Sequence, residues 1–218
     1  DRVWEEVAMK GKKVWIIVGI LGAITLTALI FELVNIQSRF IAPIEEVKKA
    51  NEEAENRIKE IDRENCRSAI AEALQIADPS IKEVESTEEQ EQAAEEFDAK
   101  LLQIYEVSDG TEQRCALKVS SSGSQGTIVM MVGFDKDGRI SGVSVVSHSE
   151  TSGIGTKVVG NESTVSGAGA LDQYRGKSAK DYPLELGKGI DVISGASVTG
   201  KGITKGVNAA IAVFQLLK

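Results

Sequence analysis

Two cysteines, one histidine and three prolines are all that these 218 residues hold of those types, and acidic side chains outnumber basic ones, 33 to 25. A formal net charge of −8 argues against nucleic acid, whose binders gather Lys and Arg on one face to neutralise phosphates, and no such face is visible. Cys66 and Cys115 stand far apart, and His148 is alone. The chain by itself therefore builds neither a zinc site nor an iron–sulfur site. A bridge between the two thiols is open in an oxidising compartment, and two buried unpaired thiols are the preferred reading.

One long uncharged run is present. Val14 to Phe31 covers eighteen positions without a charge, and Glu32-Leu33-Val34 extends its apolar character. At 1.5 Å per residue such a helix reaches about 27 to 32 Å, the thickness of a bilayer core. The following Asn35-Ile36-Gln37-Ser38-Arg39 offers no small-residue cleavage site, so an uncleaved anchor over 14–34 is expected in place of a signal peptide. Lys10, Lys12 and Lys13 precede it and only Arg39 follows closely. Positive charge stays in the cytoplasm, which predicts residues 1–13 inside and the bulk of the chain on the extracytoplasmic side.

Residues 35–65 read as a juxtamembrane amphipathic helix. Ile44, Val47, Ala54, Ile58 and Ile61 recur at helical spacing among Glu and Lys. That stripe can pack on the chain's own domain or on a partner helix, and the interruptions at Asn51 and Asn65 weigh toward the first. Residues 66–218 are expected to form one domain. Arg67 to Ile76 and Glu88 to Leu102 read as helices. Gln113 to Val119, Thr127 to Phe134 and Ile140 to Val146 read as strands, with turns at 120–123 and 135–138. The Asp137-Gly138 step makes 127–146 a hairpin. A short helical patch at 171–174 and a last helix from Lys201, with Ile203, Val207, Ile211, Phe214 and Leu217 on one face, complete an α+β fold with an antiparallel sheet.

The segment from Gly189 to Gly200, GIDVISGASVTG, runs from a short apolar strand through small hydroxyl residues into that last helix. Backbone N–H groups and the helix dipole at such a start suit a phosphate. An ordinary Ser/Thr-capped helix start explains the same residues without a ligand, and the chemistry alone leaves the two readings even. Gly195 to Gly202 also falls one residue short of a P-loop: Gly202 stands where a magnesium-binding Ser or Thr is required.

Asp191-Val192-Ile193-Ser194-Gly195-Ala196-Ser197 resembles the D-x-x-[S/T]-G-A-[T/S] motif of the FMN-binding domain family. His148-Ser149-Glu150-Thr151-Ser152-Gly153-Ile154-Gly155 is similar to that family's H-x-E-T-P-G-L-G loop, and Leu171 to Lys177 to its aromatic-rich stretch. The resemblance covers roughly Ile70 to the C-terminus. It implies flavin mononucleotide (FMN) joined by a phosphoester to Ser197, where threonine is usual. Serine also replaces the loop proline at 152, and isoleucine replaces leucine at 154. Ser194, Gly195, Ala196 and Thr199 would surround the attachment point, with Thr199 a second candidate hydroxyl. Glu150, Thr151, Gly153 and Gly155 would approach the ring, whereas His148 is read as an exposed loop residue. Asp191 would serve recognition by a separate flavin transferase. No catalytic or metal-binding residue is implied.

With its anchor the chain resembles the G-subunit family of Rnf complexes, membrane ferredoxin:NAD oxidoreductases that couple electron flow to Na⁺ or H⁺ transport. That likeness implies an electron-transfer subunit of a translocase, partnered by membrane and iron–sulfur subunits, the flavin transferase and membrane lipid, and not by nucleic acid. The C subunits of Na⁺-translocating NADH:quinone reductases, usually longer, and stand-alone surface flavoproteins are the alternatives.

Overall fold

The computed structural model describes residues 2–217 in two compact units, 1–60 and 61–218. Asp1 and Lys218, the outer ends of the expected first and last segments, lie outside the described residues. Helix α1 (Arg2–Ile36) contains the whole uncharged run, followed by one wide π-helical turn (Gln37–Ile41) and helix α2 (Ala42–Leu74). An 18-residue window in this helical stretch is long and apolar enough to cross a membrane, and none of it is buried. Leu21, Ile24, Leu26, Leu29, Phe31 and Leu33 are all exposed. Side chains that are apolar on every face of a helix and uncovered by protein are what hydrocarbon solvates.

Helix α2 is longer than expected: the separate helices anticipated at 44–61 and 67–76 are one. Nothing between them breaks the helix, since 62–66 hold neither Gly nor Pro. Ile44, Val47, Ile58 and Ile61 are 57, 60, 59 and 56 % exposed. The buried face of α2 lies at its C-terminal end, in Cys66, Ala69, Ile70, Ala73 and Leu74.

The second unit is built on a five-stranded antiparallel sheet in sequential order, β1 (Ser80–Val84), β2 (Ala99–Ser108), β3 (Gln113–Ser122), β4 (Thr127–Phe134) and β5 (Ile140–Ser147). The β4–β5 hairpin closes as expected. Asp135 Oδ1 accepts from the N–H groups of Asp137 and Arg139 at 2.9 and 2.8 Å, and Gly138 takes φ +79°. Two expectations fail here. Helix α3 (Glu88–Glu95) stops well short of Leu102, because Asp98 turns the chain at φ +52° and 99–108 extend as β2. Ser120, Ser121 and Ser122 belong to β3 and not to a turn, since each pairs with a β4 residue.

Both faces of the sheet are covered. Ile104, Leu117, Val119, Met130, Val132 and Phe134 face the main core with Ile203, Val207 and Ile211 of the last helix, α5 (Ser197–Gln215). Tyr105, Val107, Ala116 and Met131, one residue out of phase, form a second core with Ala69, Ile70, Ala73 and Leu74 of α2. The strand period of two sends neighbours to opposite faces. It also separates the thiols: Cys115 packs against the α5 core, while Cys66 accepts from Lys118 Nζ at 3.2 Å beside α2. Both cysteines are unpaired, and burial, with Glu106 nearby, pushes the Cys115 thiol up to about 12.

Beyond β5 the chain forms loops carrying a short helix α4 (Thr156–Val159), a 3₁₀ turn (Asp172–Tyr174) and a two-residue parallel pair, β6 (Glu185–Leu186) with β7 (Gly189–Ile190). These loops are tied to α5. Tyr174 and Thr204 share a buried hydroxyl–hydroxyl bond of 2.8 Å. Asn208 donates to Leu184 O and accepts from Leu184 N–H at 2.9 and 2.8 Å.

Candidate functional site

Helix α5 begins at Ser197, four residues before the expected start. Its N-cap position is held by Ala196, buried, and no side chain caps the helix. The ordinary Ser/Thr cap is thus absent at this start, and the first-turn N–H groups have no intrahelical acceptors. Gly195 precedes it at φ +80°, a conformation that strains any residue with a Cβ. Ser194, Gly195, Ser197 and Val198 are exposed. The hydroxyl of Ser197 therefore stands on the surface at the positive end of a nineteen-residue helix.

Thr199 is placed otherwise. It is 1 % exposed, and its hydroxyl donates to the Glu150 carboxylate. Glu150, itself 7 % exposed, accepts in addition from the N–H groups of Ser124 and Gln125 at 2.8 and 3.2 Å. Gly155 fits against this pair so closely that a Cβ there would lie 2.4 Å from Glu150 Oε2 and 2.9 Å from Thr199 Oγ1. One carboxylate thereby joins the turn after β3, the 148–155 loop and the first turn of α5. A buried carboxyl group needs donors in place of water, and three are supplied here. Glu150→Ala would leave two loop N–H groups and the Thr199 hydroxyl unpaired. It should destabilise the chain by about 2–4 kcal/mol, seen as an earlier denaturant midpoint at unchanged slope.

The other loop residues singled out from the sequence are peripheral to that junction. Thr151 is exposed, and its carbonyl accepts from Ile154 and Thr156 N–H. Gly153, at φ +75°, donates its N–H to Thr156 Oγ1 at 2.8 Å. His148 is exposed as expected, with Nδ1 accepting from Glu150 N–H at 3.1 Å.

Asp191 clamps a different loop. Its Oδ2 accepts from Thr164 Oγ1 and from Ser166 N–H, both at 3.1 Å. Its backbone N–H donates to Gln173 Oε1 at 2.6 Å. The hydroxyl and N–H of Ser166, and then Thr164, hold the Asp191 carboxyl below the ordinary value. Thr164 and Ser166 were not legible as partners, because their loop has no motif of its own, and the 171–177 stretch that holds Gln173 does not say which residue it meets. Their clamp fixes the segment that carries Val165, 94 % exposed. Ile154, Val192 and Val198 are further exposed aliphatic residues on the segments around Ser197. Among the described residues no group of three His, Cys, Asp or Glu is placed to hold a metal.

Comparison with known proteins finds a family that part of this arrangement matches. Residues 123–212 match the FMN-binding domain, a span that starts at the Glu150-facing turn and includes the uncapped helix start. The chain is 34 % identical over 127 residues to the G subunit of the Na⁺-translocating ferredoxin:NAD⁺ oxidoreductase complex of Acetobacterium woodii, covering 54 % of this chain and 57 % of that one. It is 31 % identical over 124 residues to the G subunit of the ion-translocating oxidoreductase complex of Stutzerimonas stutzeri, covering 54 % and 52 %. It is 35 % identical over 99 residues to the G subunit of the proton-translocating ferredoxin:NAD⁺ oxidoreductase complex of Clostridium ljungdahlii, covering 42 % and 48 %. The chain spans about half the length of these curated relatives. Residues 123–212 thus match the FMN-binding domain family, within a chain similar to the G subunits of ion-translocating oxidoreductase complexes.

Proposed function

We propose that this chain is the flavin-bearing electron-transfer subunit of a membrane ion-translocating ferredoxin:NAD oxidoreductase, an Rnf complex, with FMN esterified through its phosphate to Ser197. The observation that carries this reading is the uncapped start of α5, with an exposed serine hydroxyl at its first position. The residues fit a phosphate monoester: the N–H groups of the first turn offer donors, the helix dipole favours the anion, and Gly195 brings the backbone close. The exposure argues for a covalent bond as well. Ligand sites that retain FMN-sized molecules by contacts alone bury most of the ligand, whereas here the hydroxyl stands at the surface and a bond must do the holding.

When bound, FMN supplies the electron-accepting and electron-donating chemistry, and the protein supplies attachment and surroundings. In this reading Ser197 fixes the phosphate, the α5 start neutralises part of its charge, and Val165, Val192 and Val198 offer the ring an apolar surface. Glu150 and Thr199 position the helix start and touch no reacting atom. Asp191 sets the loop that carries Val165, and its side chain is also part of the motif a flavin transferase would recognise. The partners are membrane and iron–sulfur subunits of the complex, and α1 embeds in lipid.

Flavin fluorescence that stays with the band on a denaturing gel, from membranes in which the chain copurifies with multi-helix and iron–sulfur subunits, tests the proposal. A fluorescent band with no such company would favour a stand-alone carrier. Asp191→Ala should lower attachment while the core stays folded, because the clamp lies on the surface loops. The group's lowered pKa gives this a pH signature. Its contribution is present above the ordinary carboxylate value of about 4 and is lost as pH falls through the lower folded value, so the 163–169 loop should gain amide exchange in acid before the sheet does.

Lys10, Lys12 and Lys13, which precede the uncharged run within α1, put the domain on the extracytoplasmic side in this reading. An impermeant thiol reagent on intact cells, after mild denaturation, should then label Cys66 and Cys115. Labelling that requires lysis reverses the orientation.

A further inference from the structure

The exposed stripe of α2 repeats with a spacing that neither the flavin site nor the anchor uses. Ile44, Val47, Asn51, Ala54, Ile58, Ile61 and Asn65 follow one another at intervals of three and four without exception. This is a heptad seam, with Ile44, Asn51, Ile58 and Asn65 at a and Val47, Ala54 and Ile61 at d. The seven residues are all exposed, whereas the residues α2 buries in the second unit, Cys66, Ala69, Ile70, Ala73 and Leu74, fall at b, e, f and c, none of them a seam position. The outward f positions are Lys49, Asn56 and Arg63, and the b and c positions Glu45, Glu46, Glu52, Glu53, Lys59 and Glu60, a solvated surface.

We propose that 44–65 pairs with the same segment of a second copy of this chain as a parallel two-stranded coiled coil. Three features select a copy of itself. Asn51 and Asn65 at a are polar in an apolar seam, and in register each meets its own counterpart, whose amide both donates and accepts. Such a layer costs stability and fixes register and strand number. Arg57 at g faces Asp62 at e of the other copy, and two-fold symmetry makes that attraction twice. The other g–e pairing within the segment, Ala50 with Glu55, brings no like charges together. Read as an anchor, α1 makes both helices leave the same membrane in the same direction, which selects the parallel arrangement. The seam is short, with Ala54 in one layer, and confinement of the anchors to one bilayer raises the local concentration it needs.

Site-directed cross-linking of the full-length chain in its native membranes tests this. In a Cys66→Ala/Cys115→Ala background, single cysteines replace Val47, Ile58 or Ile61 in the seam, or Lys49, Asn56 or Arg63 outside it. Mild oxidation should give disulfide dimers of this chain at the seam positions and monomer at the outward ones. Arg57→Asp, combined with a cysteine at Ile61, should lose the dimer by repulsion from Asp62, and Arg57→Asp/Asp62→Arg should regain it. Monomer at every position, dimer at inward and outward positions alike, or an adduct with a different protein at the seam positions would each overturn the proposal. Flavin attachment is unaffected in every expected case, so failure here is separable from failure at Ser197.

Discussion

Ser197→Ala should abolish the flavin adduct and leave the protein folded. The side chain is exposed at the first position of α5, where alanine is at least as favourable to the helix. No cap is lost, because no side chain caps this helix. Ser197→Thr should retain the adduct, since it keeps a hydroxyl and adds one methyl group on an open surface. Thr199→Ala is the informative contrast. It stands two residues on and is a hydroxyl residue too, yet it is buried against Glu150, so its loss should lower stability and spare the ester. Mass spectrometry of the chains coexpressed with a flavin transferase reads all three. An adduct that survives Ser197→Ala and vanishes in Thr199→Ala would move the attachment point. A wild-type chain with no adduct, beside an active transferase, would remove the covalent reading altogether.

Gly202→Ala should destabilise the protein although alanine is the better helix former by about 1 kcal/mol. A Cβ at 202 would lie 2.5 Å from Ser122 O and 3.4 Å from Gly123 Cα, backbone atoms that cannot rotate away. The Gly202 carbonyl also accepts from Ser121 Oγ at 2.8 Å, a bond that any outward shift of α5 lengthens. Overpacking of this kind costs about 1–3 kcal/mol beyond the propensity gain, which for a chain of this size lowers Tm by roughly 2–4 °C per kcal/mol. The exposed Lys201→Ala is the control and should move Tm little. Because Gly123 lies against Glu150 Oε1, the same shift should disturb the junction beneath Ser197 and reduce flavin loading. An unchanged or raised Tm would mean that α5 slides over β3 more easily than the close approach allows.

The parts of the fold that depend on local pattern were legible in the sequence. The uncharged run to Phe31 lies within one helix, the Asp137-Gly138 turn joins β4 to β5, and the buried face of α5 follows Ile203, Val207 and Ile211. The failures share a cause. A sheet covered on both faces loses the alternation that marks a strand, and the first four residues of β2, Ala99 to Leu102, read as the tail of α3. Ser120, Ser121 and Ser122 read as a turn by composition, yet β4 supplies their pairing. Local propensity yields wherever a neighbouring strand offers its hydrogen bonds.

At the candidate site the division is sharper. Sequence by itself determined the match to the FMN-binding domain, the long apolar helix and the α+β class, since these rest on residue identity, on an unbroken apolar run and on short-range periodicity. Tertiary structure decided which of two nearby hydroxyls is presented and which is consumed: Ser197 faces outward, while Glu150, 49 residues away, takes the hydroxyl of Thr199. It also gave Asp191 a clamp on Thr164 and Ser166. Hydrogen bonds between residues tens of positions apart depend on where the folded loops meet, and no spacing along the chain encodes that meeting.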